Sequence, residues 1–305
     1  MHREKSITSC LRSSRLGFTL IEILVAIAIL AMMMAFFTQM IGNVSKVTGS
    51  TGQRLSADAA ARMALDIMAN DLASRIKRPD VGFYVLNYTN NNDEFYFYSE
   101  APATSGVTNA DTVALIGYKI VPGTNATNGL QRMAWGWPMP SNALGEGMSF
   151  YPPDPTIILR FSSDRASCIQ PLSKEVVRME VEFMKKDGTF VVSPPMRSDS
   201  HKSDYSYVTS SNTVGQIPAS QVPDWDDIRA MVVTIACIDR ERQALLSADD
   251  IEKITSALTD ATSGPNSSIA SGWGNVAENA NFTVNNKAAA GAVRIYRRFF
   301  PINEP

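Results

Sequence analysis

Among the residues of this chain that could do chemistry, Glu22 stands in the least ordinary place. It directly precedes Ile23 to Ser45, a run of Ile, Leu, Val, Ala, Met and Phe with no formal charge. A carboxylate at the edge of such a run is costly in hydrocarbon unless it is paired or held neutral. Against an amine at short range it becomes a strong charge-assisted contact. The chemistry this position offers is therefore ion pairing in a low-dielectric setting. Ahead of it lie Arg3, Lys5, Arg12 and Arg15 against a single acid, Glu4.

Other reactive side chains are less well placed. His201 stands in Ser198-Asp199-Ser200-His201-Lys202-Ser203-Asp204, but a nucleophilic triad needs a rigid scaffold and an oxyanion hole, and the chain has no Gly-x-Ser-x-Gly turn. His-Glu-x-x-His, the phosphate-binding loop and the dinucleotide fingerprint are also missing from the sequence. The sequence thus offers no catalytic constellation and no metal set. Two acidic clusters, Asn90-Asn91-Asn92-Asp93-Glu94 and Asp224-Asp226-Asp227, have oxygen ligands of the kind calcium takes, but without EF-hand spacing. Calcium is the one cofactor to consider, and a solvated acidic turn is the simpler reading. Cys10 lies in the basic leader. Cys168 and Cys237 could form a disulfide if folding brings their Cα atoms within about 7 Å, although Cys237 in an apolar strand also fits a buried thiol. Trp135-Gly136-Trp137-Pro138 is either a contact surface or a plug of a sheet core, and the core reading is preferred.

The elements that must position Glu22 follow from the hydrophobic pattern. The uncharged run is long enough for a helix across a bilayer, which takes about 20 apolar residues. Its positive flank belongs on the cytoplasmic side, leaving the bulk of the chain outside. An ordinary secretory signal has a shorter apolar core, roughly 7–15 residues, and a small-residue cleavage site after it. A signal anchor with an incidental acid is the remaining plain alternative.

Gly17-Phe18-Thr19-Leu20-Ile21-Glu22 resembles the processing site of type IV prepilins and of the pseudopilins of type II secretion. The resemblance implies cleavage after Gly17 by a prepilin peptidase, N-methylation of Phe18, and an assembly role for Glu22, whose carboxylate would pair with the Phe18 amine of a neighbouring subunit. It also implies a bacterial inner-membrane protein, single-pass, with a cytoplasmic amino terminus and a periplasmic domain.

Behind the membrane run the chain reads as α+β. Residues 1–17 are the leader, 18–45 the transmembrane helix, 46–78 an amphipathic extension and 79–305 a mostly β domain. Gly42 and Gly49-Ser50-Thr51-Gly52 should loosen the helix. From Gln53 an apolar stripe of Leu55, Ala59, Met63, Ile67, Leu72 and Ile76 is expected to face a sheet, with Arg54, Asp58, Arg62, Asp66 and Asp71 on the surface. Arg75, Lys77 and Arg78 suit the negative end of the helix dipole before Pro79. Strands are expected at Val81–Tyr88, Glu94–Ser99, Thr112–Val121, Thr156–Ser162, Ile228–Ile238 and Val293–Phe300. Glu175–Lys185 alternates Val177, Met179, Val181 and Phe183 with Arg178, Glu180 and Glu182, and Asp187-Gly188 turns it into Thr189–Val192. Ser193–Pro223 reads as a surface loop. Ser247-Ala248-Asp249-Asp250 starts a helix to about Thr259, and Ser263–Ala290 reads as loop.

This order resembles a pilin-like fold, a long N-terminal helix packed on antiparallel sheet, and among its relatives most nearly the large J-type minor pseudopilin. The local similarities are Ala64–Leu72, Gly117–Ile120, Gly129–Arg132 and Val222-Pro223 leading into Ile228–Val232. The chain departs from that pattern in its length and in inserts near 193–223 and 240–290. A structural subunit of a type II secretion or pilus-like filament is the function implied, with other pilins, membrane lipid and a secreted substrate as partners. A tip adhesin or substrate-recognition module is the alternative. The full chain has 28 basic and 30 acidic residues, and losing the basic leader makes it more acidic. That balance disfavours nucleic acid as a partner.

Overall fold

The computed structural model describes residues 17–77, 83–88, 92–100, 113–122, 128–136, 168–192, 207–210, 213–216, 225–260, 267–279 and 282–302. The leader, the expected strand Thr156–Ser162 and the His201 run lie outside them. Helix α1 is unbroken over Leu20–Ala73. The glycines expected to loosen it do not interrupt it: each costs only about 1 kcal/mol against alanine, and no proline intervenes. The chain divides into two compact units between Gly52 and Gln53.

In the second unit the strands form two sheets. The first has seven strands in the order β5-β4-β3-β2-β1-β8-β9, with β1 Phe83–Tyr88, β2 Glu94–Ser99, β3 Ala114–Pro122, β4 Asn128–Gly136, β5 Ile169–Ser173, β8 Tyr207–Ser210 and β9 Thr213–Gln216. Its neighbours are antiparallel except β1 and β8, which run parallel. The second has four strands in the order β11-β10-β6-β7, with β6 Val176–Lys185, β7 Phe190–Val191, β10 Ile228–Cys237 and β11 Arg294–Pro301. The turn from β6 into β7 uses Gly188 at a φ of +86°, where a side chain would be strained. Two segments read as loop are corrected. Within Ser193–Pro223, β8 and β9 form a hairpin on the edge of β1. Beyond α2 Arg240–Gln243 and α3 Ala248–Ala257, the latter being the helix expected from Ser247, the Ser263–Ala290 segment contains α4 Ile269–Glu278 and α5 Lys287–Ala290, and these helices make a layer. The expected capping box is present: Asp250 N–H donates to Ser247 Oγ at 3.1 Å and Ser247 N–H to Asp250 Oδ2 at 3.3 Å.

One core lies between the inner faces of the sheets and the Gln53–Ala73 part of α1, and joins Ala61, Ala64, Leu65 and Met68 to Phe95, Phe97, Ile116, Met179, Val181, Val233 and Phe300. The packed helix face is not the expected stripe. Buried positions run Ala57, Ala61, Ala64, Met68 and Asp71 at alternating spacings of four and three, while Leu55 and Met63 are 62% and 57% exposed. Small side chains let the helix backbone sit close to an aromatic-rich sheet, and that fit wins over the larger apolar residues.

Asp71, expected on the surface, is the polar anchor of this contact. Arg132 on β4 grips it with Nε at 2.6 Å from Oδ2 and Nη2 at 2.9 Å from Oδ1. The Tyr118 hydroxyl on β3 donates to the same carboxylate, and burial beside that charge pushes the Tyr118 pKa up. The helix end is closed by Ser99 Oγ, which lies 3.2 Å from the Asp71 carbonyl oxygen and 3.0 Å from that of Ser74. Arg75 is not a dipole partner as expected: its Nη2 donates to the Ile302 carbonyl at 3.1 Å.

Cutting one side of a buried pair strands the other, at a cost of about 3–5 kcal/mol, whereas replacing both with apolar groups is far milder. Asp71→Leu or Arg132→Met alone should lower the unfolding free energy by roughly that amount, and the double substitution should recover most of it. Denaturant unfolding of the three variants checks this; equal losses in all three would contradict it.

Candidate functional site

Gly17, Phe18 and Thr19 precede α1 without regular structure, and all three are exposed. Phe18 is 77% exposed, and nothing lies within 4 Å of where a Cβ on Gly17 would sit. Among the described residues nothing covers the Gly17–Phe18 bond. Thr19 is the residue that starts the helix. Its Oγ1 accepts from Glu22 N–H at 3.3 Å and its carbonyl from the same N–H at 3.1 Å. Thr-x-x-Glu is the spacing of a capping box, a local signal that reading Glu22 only as a charge passes over.

Glu22 sits in the first turn, where the unsatisfied N–H groups of the helix favour a negative charge. Its backbone is used by Thr19, but its carboxylate is exposed and has no partner among the described residues. The following Leu20–Ser45 stretch has a mean hydropathy of 2.7 and none of its most apolar window is buried. Among the described residues it is the one helix long and apolar enough to cross a membrane. The Thr38 hydroxyl inside it is satisfied, donating to the Met34 carbonyl at 2.8 Å. Glu22 is therefore an unpaired acid at the head of an apolar helix.

The second place where titratable groups gather is the outer face of β6, under α3 and α4. Arg178, Glu180 and Glu182, which alternate with the apolar residues of this strand, are all buried. The reason is the helical layer, which packs Ile251, Ile254, Leu258, Ile269 and Trp273 over that face. Arg178 Nη2 lies 2.6 Å from Glu180 Oε1 and 2.7 Å from Asp260 Oδ1, with its guanidinium 5.9 Å from the Trp273 ring centre. Glu182 Oε1 accepts the Ile269 N–H at 2.7 Å and so caps α4 from the sheet. Burial, and then the neighbouring Asp93 charge, raise the Glu180 pKa. Burial pushes Glu182 up to about 7, against the opposing pull of the Ile269 N–H and Arg297. The cluster is held by these two ion pairs and one backbone contact, while Arg178 Nε, Glu180 Oε2 and Glu182 Oε2 are buried without a hydrogen-bond partner among the described residues.

The remaining sequence candidates are likewise absorbed by the fold. Asp93 Oδ2 accepts Val181 N–H at 2.9 Å and Asn92 Oδ1 accepts Met179 N–H at 3.0 Å, so this part of the first acidic cluster closes the edge of β6. The Glu94 carboxylate accepts from the Tyr96 hydroxyl. Asn90 and Asn91 lie outside the described residues, as do Asp224, Trp137 and Pro138; Asp226 and Asp227 are exposed, and Trp135 is half-buried on β4. No group of three or more His, Cys, Asp or Glu is arranged for a metal ion among the described residues. The Cys168–Cys237 bridge is corrected: the two are separate buried thiols. Cys168 leads into β5 in one sheet while Cys237 ends β10 in the other, and burial raises the Cys237 pKa.

A family model described as a prokaryotic N-terminal methylation motif matches residues 12–38. That span holds Gly17, Phe18, Glu22 and the first part of the apolar helix. No curated protein sequence matches the chain. Among solved structures it is similar to the type IV-like pilin TTHA1219 from Thermus thermophilus, at 10% identity over 60% of this chain and 72% of that one, with a TM-score of 0.28. So distant a likeness carries no argument beyond the topology described above.

An acid whose folded-state pKa is raised gives stability that is complete below its unfolded value and is lost as pH rises through the folded one. For Glu182 that window runs from the ordinary 4.5 to about 7. The melting temperature of the full chain in detergent should therefore fall between about pH 5 and pH 8. Glu182→Gln keeps an acceptor for Ile269 and should flatten that slope, by on the order of 1–3 kcal/mol across the window. Glu180 and Glu94, both raised, leave a residual slope of the same sign. A slope unchanged in Glu182→Gln would contradict the assignment.

Proposed function

We propose that this chain is a minor pilin- or pseudopilin-like structural subunit. In this reading it is cleaved after Gly17, methylated at Phe18, held in the bacterial inner membrane by the apolar helix and drawn from there into a filament or its tip. The observation that carries it is the match of the methylation motif to residues 12–38, on a segment that is open around Gly17 and Phe18 and leads directly into that helix.

The physics of the helix head supports the same reading. Cleavage leaves a positive amine on Phe18, one helical turn from Glu22. Within one chain Thr19 already occupies the Glu22 backbone, and the carboxylate remains available to the amine of the next subunit. In lipid that pairing removes two costs at once, since neither charge is tolerated alone. Subunits in any other register leave Glu22 unpaired, so the pair selects the register. The exposed Leu55 and Met63 on α1 give a neighbouring subunit further apolar surface to cover. A periplasmic location for residues 79–305 follows from the positive flank ahead of the helix.

Two experiments test this. Intact mass of the protein purified from membranes should equal a chain beginning at Phe18 with one added methyl group; a chain retaining residues 1–17 would sink the reading. Glu22→Ala should still be inserted and cleaved, but its co-purification with sibling subunits should drop by about tenfold or more, the value of a charge-assisted contact of about 1.5–3 kcal/mol. Undiminished co-purification would show that Glu22 does not set assembly.

A further inference from the structure

Strand β11 is the outer strand of the four-stranded sheet. Which of its backbone groups face β10 follows from two observations. Ile302 N–H donates to the Arg229 carbonyl at 3.3 Å, and the register places Ala230 opposite Pro301 and Val232 opposite Phe299. In an antiparallel ladder, N–H and C=O groups point to the partner at every second residue and away from it at the others. Tyr296, Arg298 and Phe300 therefore bond into β10, while Ile295, Arg297, Phe299 and Pro301 turn their backbone outward. Pro301 has no N–H to lose and is tolerated in a strand only where that position faces away from the sheet.

The outward groups are unclaimed. Strand β11 pairs only with β10 among the described strands, and no other backbone group among the described residues takes up Ile295, Arg297 or Phe299. The edge is accessible at Arg297, which is exposed, and Phe299, which is 40% exposed, while the Ile295 side chain is half-buried against the helical layer. Proteins usually blunt such an edge by shortening or covering it or by charging it. Here the edge is long and carries Arg294, Arg297 and Arg298. Asp66 is paired with Arg298, whereas Arg297 donates to the Ser268 hydroxyl at 2.6 Å and lies 4.9 Å from the Phe299 ring centre, and no ion pair closer than 4 Å engages Arg297 or Arg294 among the described residues.

We infer that the β11 edge is a docking surface for an extended segment of another protein, which adds to the sheet as a further strand and sets a carboxylate beside Arg297. Ile295, Arg297 and Phe299 lie on one face, so the incoming strand matches them with an apolar, an acidic and an apolar residue at alternate positions. A second copy of β11 is a poor occupant, because pairing two such edges sets arginines against arginines. Main-chain bonds supply the affinity and the alternating side chains the selectivity, as in other strand-addition complexes. This inference rests on the edge itself and is independent of how the amino terminus is processed.

The test uses the full chain in detergent micelles and a blocked peptide, Thr-Val-Thr-Glu-Thr-Val-Thr, labelled for anisotropy. Binding should slow amide exchange at Ile295, Arg297 and Phe299, while Tyr296 and Arg298 are protected already without peptide. Lys in place of Glu in the peptide should weaken binding by about tenfold. N-methylation of its Val and Glu residues should abolish binding, and N-methylation of Thr residues should not. In the protein, Arg297→Glu should reverse the preference between the Glu and Lys peptides. Phe299→Pro, which removes one outward N–H and no bond to β10, should weaken binding by about tenfold with Tyr296 and Arg298 still protected. No slowing at 295, 297 and 299 with millimolar peptide, or equal binding by the N-methylated or Lys peptides, would overturn the inference.

Discussion

A charge taken out of water must find a partner, and the structure depends on this constraint at each place where its sequence is unusual. Removing one member of such a pair costs more than forming the pair gains, so each partnership fixes the elements that carry it. Asp71 is held by Arg132 and Tyr118 and ties the helix to the seven-stranded sheet. Arg178 is held between Glu180 and Asp260 and ties β6 to the segment that follows α3. Glu182 closes the amino end of α4. Glu22 differs from these in having no ion-pair or hydrogen-bond partner for its carboxylate among the described residues, at the head of an apolar helix.

That contrast links fold to proposed function. Among the described residues of the second unit, the buried charges of Asp71, Arg132, Arg178 and Glu180 are paired within the chain. The residues that looked most like ligands, Asn92 and Asp93, instead accept from the backbone of β6. At the amino end the Glu22 carboxylate has no partner among the described residues. Under the proposed function its partner comes from another subunit, and assembly completes the pair.

Much of this was legible in the sequence, and the failures share a cause. The apolar run, the Ser247 cap, the Asp187-Gly188 turn and strands such as Glu94–Ser99 announce themselves through local chemistry, and the structure has each of them in place. The packed face of α1 did not, because its signal is alanine at heptad spacing, weaker on any hydrophobicity scale than Leu55 or Met63, which are exposed. For Arg178, Glu180 and Glu182, alternation shows which residues share a side of a strand and not what later covers it. The cover is α3 and α4; α4 lies in a Ser, Asn, Gly and Ala rich segment whose helix is started from outside, by Glu182. Both errors concern tertiary partners, which local pattern does not encode. The edge of β11 is a similar case, since only the register shows which of its amides face outward.

The most direct test of the central claim is whether the Glu22 carboxylate lies beside the Phe18 amine of a neighbouring subunit, read by carbon–nitrogen dipolar recoupling NMR on a sample co-assembled from subunits labelled with 13C at the glutamate carboxyl and subunits labelled with 15N at phenylalanine. If a neighbouring amine completes this charge, the amine nitrogen shows a contact within about 4 Å to a glutamate carboxyl carbon of a differently labelled subunit, and Glu22→Gln removes it. No such contact in the co-assembled sample, or one that survives in Glu22→Gln, would contradict the claim.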